Sequence, residues 1–190
     1  VPGISCSGLF CEWAVLEWRA GNGTRAEALF AQALASGDPP LQVCLQTAVD
    51  ADRASVPPEV QARLAGLLDE QWESPPTAAS AVAVVKLVMT HQAEGVAYCR
   101  QDGLLKAIHA YLVKACNQVT FAEDESLLLC EYLERCKNWP VLEMCAAKAA
   151  ERHVGNYSFP IFLGRAQVNL YRREVPRATR KLLQQAQRQA

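Results

Sequence analysis

The stretch from Phe10 to Pro40, FCEWAVLEWRAGNGTRAEALFAQALASGDPP, contains the signals of two helices and the turn that joins them. Apolar residues recur at three- and four-residue steps up to Arg19, which is typical of a helix with one buried face. Gly21 begins a glycine-rich turn, and Thr24 and Glu27 have the spacing of a capping box at the start of a second helix. A glycine and two prolines then end that helix and begin a third.

The same helix start and stop signals recur along the rest of the chain. Prolines or capping residues, such as a second box at Thr120–Glu123, return about every 15–20 residues, and helix pairs repeat at about 35–40 residues. This spacing predicts roughly ten or eleven helices with short connections and no strand-rich region. We therefore expect an all-α fold of antiparallel helical hairpins, stacked as a short α-solenoid in a single repeat domain over residues 1–190. An irregular helical bundle is the alternative.

The bulk composition supports a folded domain and excludes several classes of protein. With 190 residues and 51% hydrophobic composition the chain can bury a core, and its net charge of −1 gives no global attraction to nucleic acid or to anionic membranes. Eight cysteines in apolar helical patterns favour free thiols in a reducing compartment. The first residue is Val1, and we expect a fragment of a longer protein.

One segment resembles a membrane span in composition. AASAVAVVKLVM, residues 78–89, is nearly all apolar, but it is too short to cross a bilayer and contains Lys86. A helix buried on most faces is the interpretation we adopt, with a buried strand as the alternative because of the valine run. We expect no membrane partner.

The first hairpin resembles the half-a-TPR (HAT) repeat, a relative of the tetratricopeptide (TPR) repeat. Such a repeat has two aromatic residues three apart, an apolar-Glu pair, a turn glycine, and then alanines around an apolar-aromatic pair. The resemblance implies a stacked helical hairpin and covers about a sixth of the chain. It places these residues in the structural core of the repeat: Phe10, Trp13, Leu16, Ala26, Leu29, Phe30 and Ala33.

The residues that could carry chemistry form no recognised catalytic or metal-binding constellation. Cys130, Cys136, Cys145 and His153 are the candidate zinc ligands, but five and eight residues separate the three cysteines, unlike the close cysteine pairs of structural zinc sites. The three histidines stand in no known nucleophile–base signature, and no glycine-rich loop joins a strand to a helix. We expect no enzyme activity, no metal and no cofactor.

The C-terminal stretch is strongly basic. From Arg165 to the end it carries seven basic residues against Glu174 alone, a net charge of +6 that leaves −7 on the preceding part. A helical face of this kind can bind phosphate or an acidic peptide, although a solvated terminal helix has the same composition. The residues predicted to contact a partner protein or nucleic acid are Arg172, Arg173, Arg177, Arg180 and Lys181.

Two functions are compatible with these patterns. The first is a non-catalytic scaffold whose grooves hold a peptide or helix of another protein, or which contacts a neighbouring subunit or a second copy of itself. The HAT resemblance implies a nuclear RNA-processing assembly, and with it the nucleus in preference to the cytoplasm. The alternative is direct RNA or DNA binding through the basic C-terminal helices.

Overall fold

The computed structural model describes residues 6–171, and these are almost entirely helical. Nine α-helices and one 3-10 helix lie in this range, with no strand in it, which confirms the all-α prediction. The chain divides into two compact units, Val1–Tyr111 and Leu112–Ala190. The helices are α1 (Cys6–Arg19), α2 (Gly23–Leu34), α3 (Pro40–Ala54), α4 (Pro58–Glu73), α5 (Ala78–Ala93), the 3-10 helix (Tyr98–Arg100), α6 (Asp102–Gln118), α7 (Glu123–Arg135), α8 (Trp139–Arg152) and α9 (Ser158–Tyr171).

In the first unit, helices pack against neighbours that are close in sequence. Helix α1 contacts α2 and α3, and α3 contacts α4 and α5. Helices α1, α3 and α5 therefore lie side by side in one layer. An ion pair between Glu27 of α2 and Arg63 of α4 links the helices that follow α1 and α3.

Small and aromatic residues together form the core of the first hairpin. Ala14, Ala26 and Ala33 are fully buried, which lets α1 and α2 approach closely. Trp18 fills the space beside them, with its ring centroid 5.8 Å from that of Phe30. The hairpin is therefore held mainly by apolar burial.

Helix α5 is the apolar helix expected at residues 78–89, and it is helical rather than extended. Val84, Val85 and Val88 are fully buried, whereas Lys86 is exposed. Thr77 caps the helix, because its hydroxyl accepts a hydrogen bond from the Ser80 amide (3.1 Å). The interpretation as a helix buried on most faces is confirmed.

Both predicted capping boxes are wrong in detail. Helix α2 begins at Gly23, one residue before Thr24, and its predicted partner Glu27 is instead paired with Arg63. The turn is held from α1, because Glu17 accepts a hydrogen bond from the Asn22 side chain (2.7 Å). The helix expected at Thr120 begins later, at Glu123. The box at Thr24 is therefore replaced by a tertiary ion pair of Glu27, and the box at Thr120 fails because the helix starts three residues later.

The second unit repeats the packing between near neighbours. Helix α7 contacts α8 and α9, and α8 contacts α9. The α6 end that belongs to this unit is tied to α8, because the Lys148 ammonium donates to the Cys116 carbonyl oxygen (2.8 Å). Its largest fully buried side chains are Tyr132, Phe159, Leu129, Leu133 and Leu142.

Candidate partner-binding groove

The basic residues predicted to contact a partner lie outside the described residues. Arg172, Arg173, Arg177, Arg180 and Lys181 all follow Tyr171, the last residue of α9.

The described part of the same stretch, residues 165–171, includes two side chains with acidic neighbours. Arg165 forms an ion pair with Glu134 (2.9 Å), and the Tyr171 hydroxyl donates to Glu143 (3.1 Å). Hydrogen bonding to that carboxylate raises the pKa of Tyr171. These contacts remain within the chain and leave both groups less available to a polyanion.

Five of the seven residues predicted for the repeat core are buried or half-buried. Ala26, Leu29, Phe30 and Ala33 are buried, and Phe10 is half-buried.

Trp13 and Leu16 contradict the prediction, because they are 47% and 58% exposed. Helix α1 instead buries the opposite face, which holds Trp18 and the small residues that contact α2 and α3. The aromatic partner of Phe30 is therefore Trp18, five residues later than the HAT pattern indicates.

An open groove of about 520 Å³ runs between α3 and α5 in the first unit. One wall is formed by α3 through Gln42 and Gln46, and α5 contributes side chains at every turn. These α5 residues follow three- and four-residue steps, so they lie along one side of the helix. They are Ala79, Val82, Ala83, Lys86, Leu87, Thr90 and His91.

A hydrogen-bonded polar network lies at the His91 end of the groove. Gln46 donates to Asp50 (2.8 Å) and presents its amide oxygen 3.3 Å from Nε2 of His91. Nδ1 of His91 lies 3.1 Å from Glu94, which also accepts from Arg53 (2.6 Å). The imidazole of His91 therefore lies between two side-chain oxygens, one from α3 and one from its own helix.

The two carboxylates of this network have opposite pKa shifts. Burial raises the pKa of Asp50, and the hydrogen bond from Gln46 offsets only part of that effect. Glu94 is exposed, and its hydrogen bonds from Arg53 and then from His91 lower its pKa. The charged form of the carboxylate is thus stabilised at Glu94, the solvent end of the network, and disfavoured by burial at Asp50, the inner end.

The groove offers binding groups and no catalytic constellation among the described residues. Ala79 and Ala83 leave room for another backbone, Gln42 can exchange hydrogen bonds with it, and Lys86 supplies an exposed cation. We did not predict this site from the sequence. The available signal was the placement of Lys86 on one line with the two alanines in an otherwise apolar helix.

The cysteines form buried contacts and no disulfide among the described residues. All seven described thiols are free, and all but half-buried Cys136 are buried. The Cys130 and Cys145 sulfurs lie 3.9 Å apart in the second unit. Within residues 6–171 no group of three or more histidine, cysteine or acidic side chains is arranged to hold a metal ion.

A search of the described helices finds none that combines the length and the apolar character needed to cross a membrane. Comparison of the chain with protein-family models, with curated proteins and with solved structures finds no match in any of the three.

Proposed function

We propose that this chain is a non-catalytic protein-interaction module, a HAT/TPR-like α-solenoid segment whose α3/α5 groove holds an extended peptide of another protein. The observation that carries the proposal is the groove itself, an open channel in which apolar side chains such as Val82 and Leu87 alternate with small and polar ones. The packing of helices against their neighbours and next-but-one neighbours in each unit supports the solenoid arrangement.

The chemistry of the groove favours a peptide with an acidic side chain or a terminal carboxylate. Lys86 is exposed on the groove wall, whereas the acidic groups near its His91 end form hydrogen bonds with Gln46, His91 and Arg53. An incoming carboxylate therefore finds an available ammonium group. A hydrogen bond to a charged group contributes about 1.5–3 kcal/mol, which corresponds to roughly a tenfold or larger change in affinity.

Peptide selection followed by direct titration tests the proposal. Peptides selected from a random display library on the purified chain should be enriched in Asp, Glu or free C-termini. Their affinity should fall at least tenfold with Lys86→Glu. Ala83→Phe should weaken them as well, because it fills the groove.

Lys106→Glu is the matched control for the charge change. Lys106 is also an exposed lysine of the first unit, and it lies outside the groove. Equal loss with both charge variants would show that net charge alone drives binding. The absence of any selected peptide that depends on Ala83 would also reject the proposal.

Direct nucleic-acid binding is the second candidate, and the net charge of +6 from Arg165 onward favours it. Affinity for RNA would then fall steeply between low and moderate salt, because phosphate contacts release counterions. It would be lost on charge reversal of Arg173 and Arg177. No binding at low salt would reject this candidate.

The cellular setting that we propose is a nuclear RNA-processing assembly, and its support is the HAT resemblance of the first hairpin. Imaging of the tagged full-length protein tests it. A signal restricted to the cytoplasm would contradict this part of the proposal.

A further inference from the structure

Helix α1 carries a second apolar face, directed away from the core. Leu9, Trp13 and Leu16 are 51%, 47% and 58% exposed, and Ala20, the residue directly after the helix, is exposed as well. Their steps of four, three and four residues follow the heptad spacing of a coiled-coil seam, which is narrower than the face of an ordinary amphipathic helix. An apolar stripe with this spacing fits the apolar stripe of another helix.

Charged residues border this seam on both sides. Glu12 and Arg19 lie along one edge, seven residues apart, and neither forms an ion pair with another described residue. On the other edge Arg25 of α2 lies over the Trp13 ring, 5.6 Å from its centroid. Arg25 is also paired with Glu17 (3.1 Å). One edge therefore holds two unpaired charges of opposite sign, and the other edge is internally neutralised.

We propose that α1 is a homodimerisation helix, which pairs antiparallel with α1 of a second copy of this chain. With a two-fold axis near the middle of the helix, Trp13 of each copy packs on Leu16 of the other, and Leu9 packs on Ala20. The same axis brings Glu12 of each copy beside Arg19 of the other. Every apolar layer and both unpaired charges then find a partner.

The charge pattern selects this arrangement over a parallel one. In a parallel pair the edge residue Glu12 would face Glu17 of the other copy, whose carboxylate is already paired with Arg25, so Glu12 would gain no partner of opposite charge. The antiparallel pair forms two identical ion pairs instead, so the seam is complementary to itself.

The apolar area of three large side chains is a few hundred Å² per copy, which is small among protein–protein interfaces. We therefore expect a weak dimer whose population depends on protein concentration.

Sedimentation velocity of the chain over a range of concentrations tests the proposal. The mass should rise with concentration from 20.8 kDa for the monomer toward twice that value. Leu16→Asp should keep the chain monomeric throughout this range. Val168→Asp is the matched control, because Val168 is an apolar helix residue with the same 47% exposure as Trp13, and it should leave the dimer intact.

Charge exchange distinguishes this interface from any other. Glu12→Arg alone and Arg19→Glu alone should each weaken the dimer, since each places like charges together. The double variant restores both ion pairs with reversed sign and should recover dimerisation.

Three results would overturn the proposal: a monomer at every concentration, a dimer that survives Leu16→Asp, or a double variant as weak as the single ones. Circular dichroism of each variant verifies that the substitutions at these exposed sites leave the helices folded. The proposal does not depend on the α3/α5 groove, so its outcome is separate from that of the peptide-binding experiment.

Discussion

Replacement of Trp18 by alanine should destabilise the protein far more than the same change at Trp13. Trp18 is 6% exposed and packs on Phe30, so its removal leaves a cavity that costs about 3–5 kcal/mol in the free energy of unfolding. Trp13 is 47% exposed, and its main loss is the contact with the Arg25 guanidinium, about 1 kcal/mol at most.

Urea denaturation followed by far-ultraviolet circular dichroism measures this difference. With an m value of about 2 kcal/mol/M, the midpoint should fall by roughly 1.5–2.5 M for Trp18→Ala and by at most about 0.5 M for Trp13→Ala. Submicromolar protein keeps association through α1 from contributing. Equal shifts, or a larger shift for Trp13, would refute the assignment of Trp18 to the core of the first hairpin.

Three further predictions concern buried polar groups and thiols. Burial raises the pKa of Asp50, so folding favours the protonated form and the charged form destabilises the native protein at pH 7. Asp50→Asn should therefore raise the urea midpoint at pH 7. The difference between the variant and the original protein should disappear as the pH falls through the folded-state pKa of Asp50 toward 4. Tyr111→Phe removes a hydroxyl that lies 2.5 Å from that of Ser80 and should cost about 1 kcal/mol in the same assay, whereas no loss would show that this contact is energetically neutral. Burial raises the pKa of three thiols, those of Cys11, Cys44 and Cys99, to about 11. A disulfide reagent should therefore label these thiols slowly in the native protein and completely in urea. Fast labelling of the native protein would contradict their burial.

The positions of the helices are largely predictable from the sequence, because glycine and proline act locally. Gly21 and Gly37 both adopt positive φ angles at helix ends, which is the conformation that favours glycine. The polar caps are less predictable. Glu17 fixes the turn before α2 through Asn22 and Arg25, and no local pattern around Thr24 contains that information.

The buried face of α1 illustrates a limit of periodicity. This helix has two apolar stripes, one with Trp13 and Leu16 and another with Ala14 and Trp18. Both satisfy three- and four-residue spacing, so the pattern alone does not decide which stripe faces α2 and α3. The HAT resemblance favoured the stripe that is exposed.

The α3/α5 groove depends on which helices become neighbours. Gln46 and His91 are 45 residues apart and meet only because α3 packs beside α5. Single-helix periodicity identifies the exposed line of α5 that contains Lys86, but it carries no information about the opposite wall. The site therefore follows from tertiary packing, whereas the helices that build it follow from local sequence.

The succession of near-neighbour contacts within each unit has a kinetic consequence. Tertiary links such as Ser80–Tyr111 and Cys116–Lys148 join residues only 31 and 32 positions apart. Short sequence separations make the loop-closure cost small, and helical proteins of low contact order fold in microseconds to milliseconds. Each hairpin can form soon after its second helix is synthesised, before the remainder of its unit exists. Little apolar surface therefore stays exposed to solvent during synthesis.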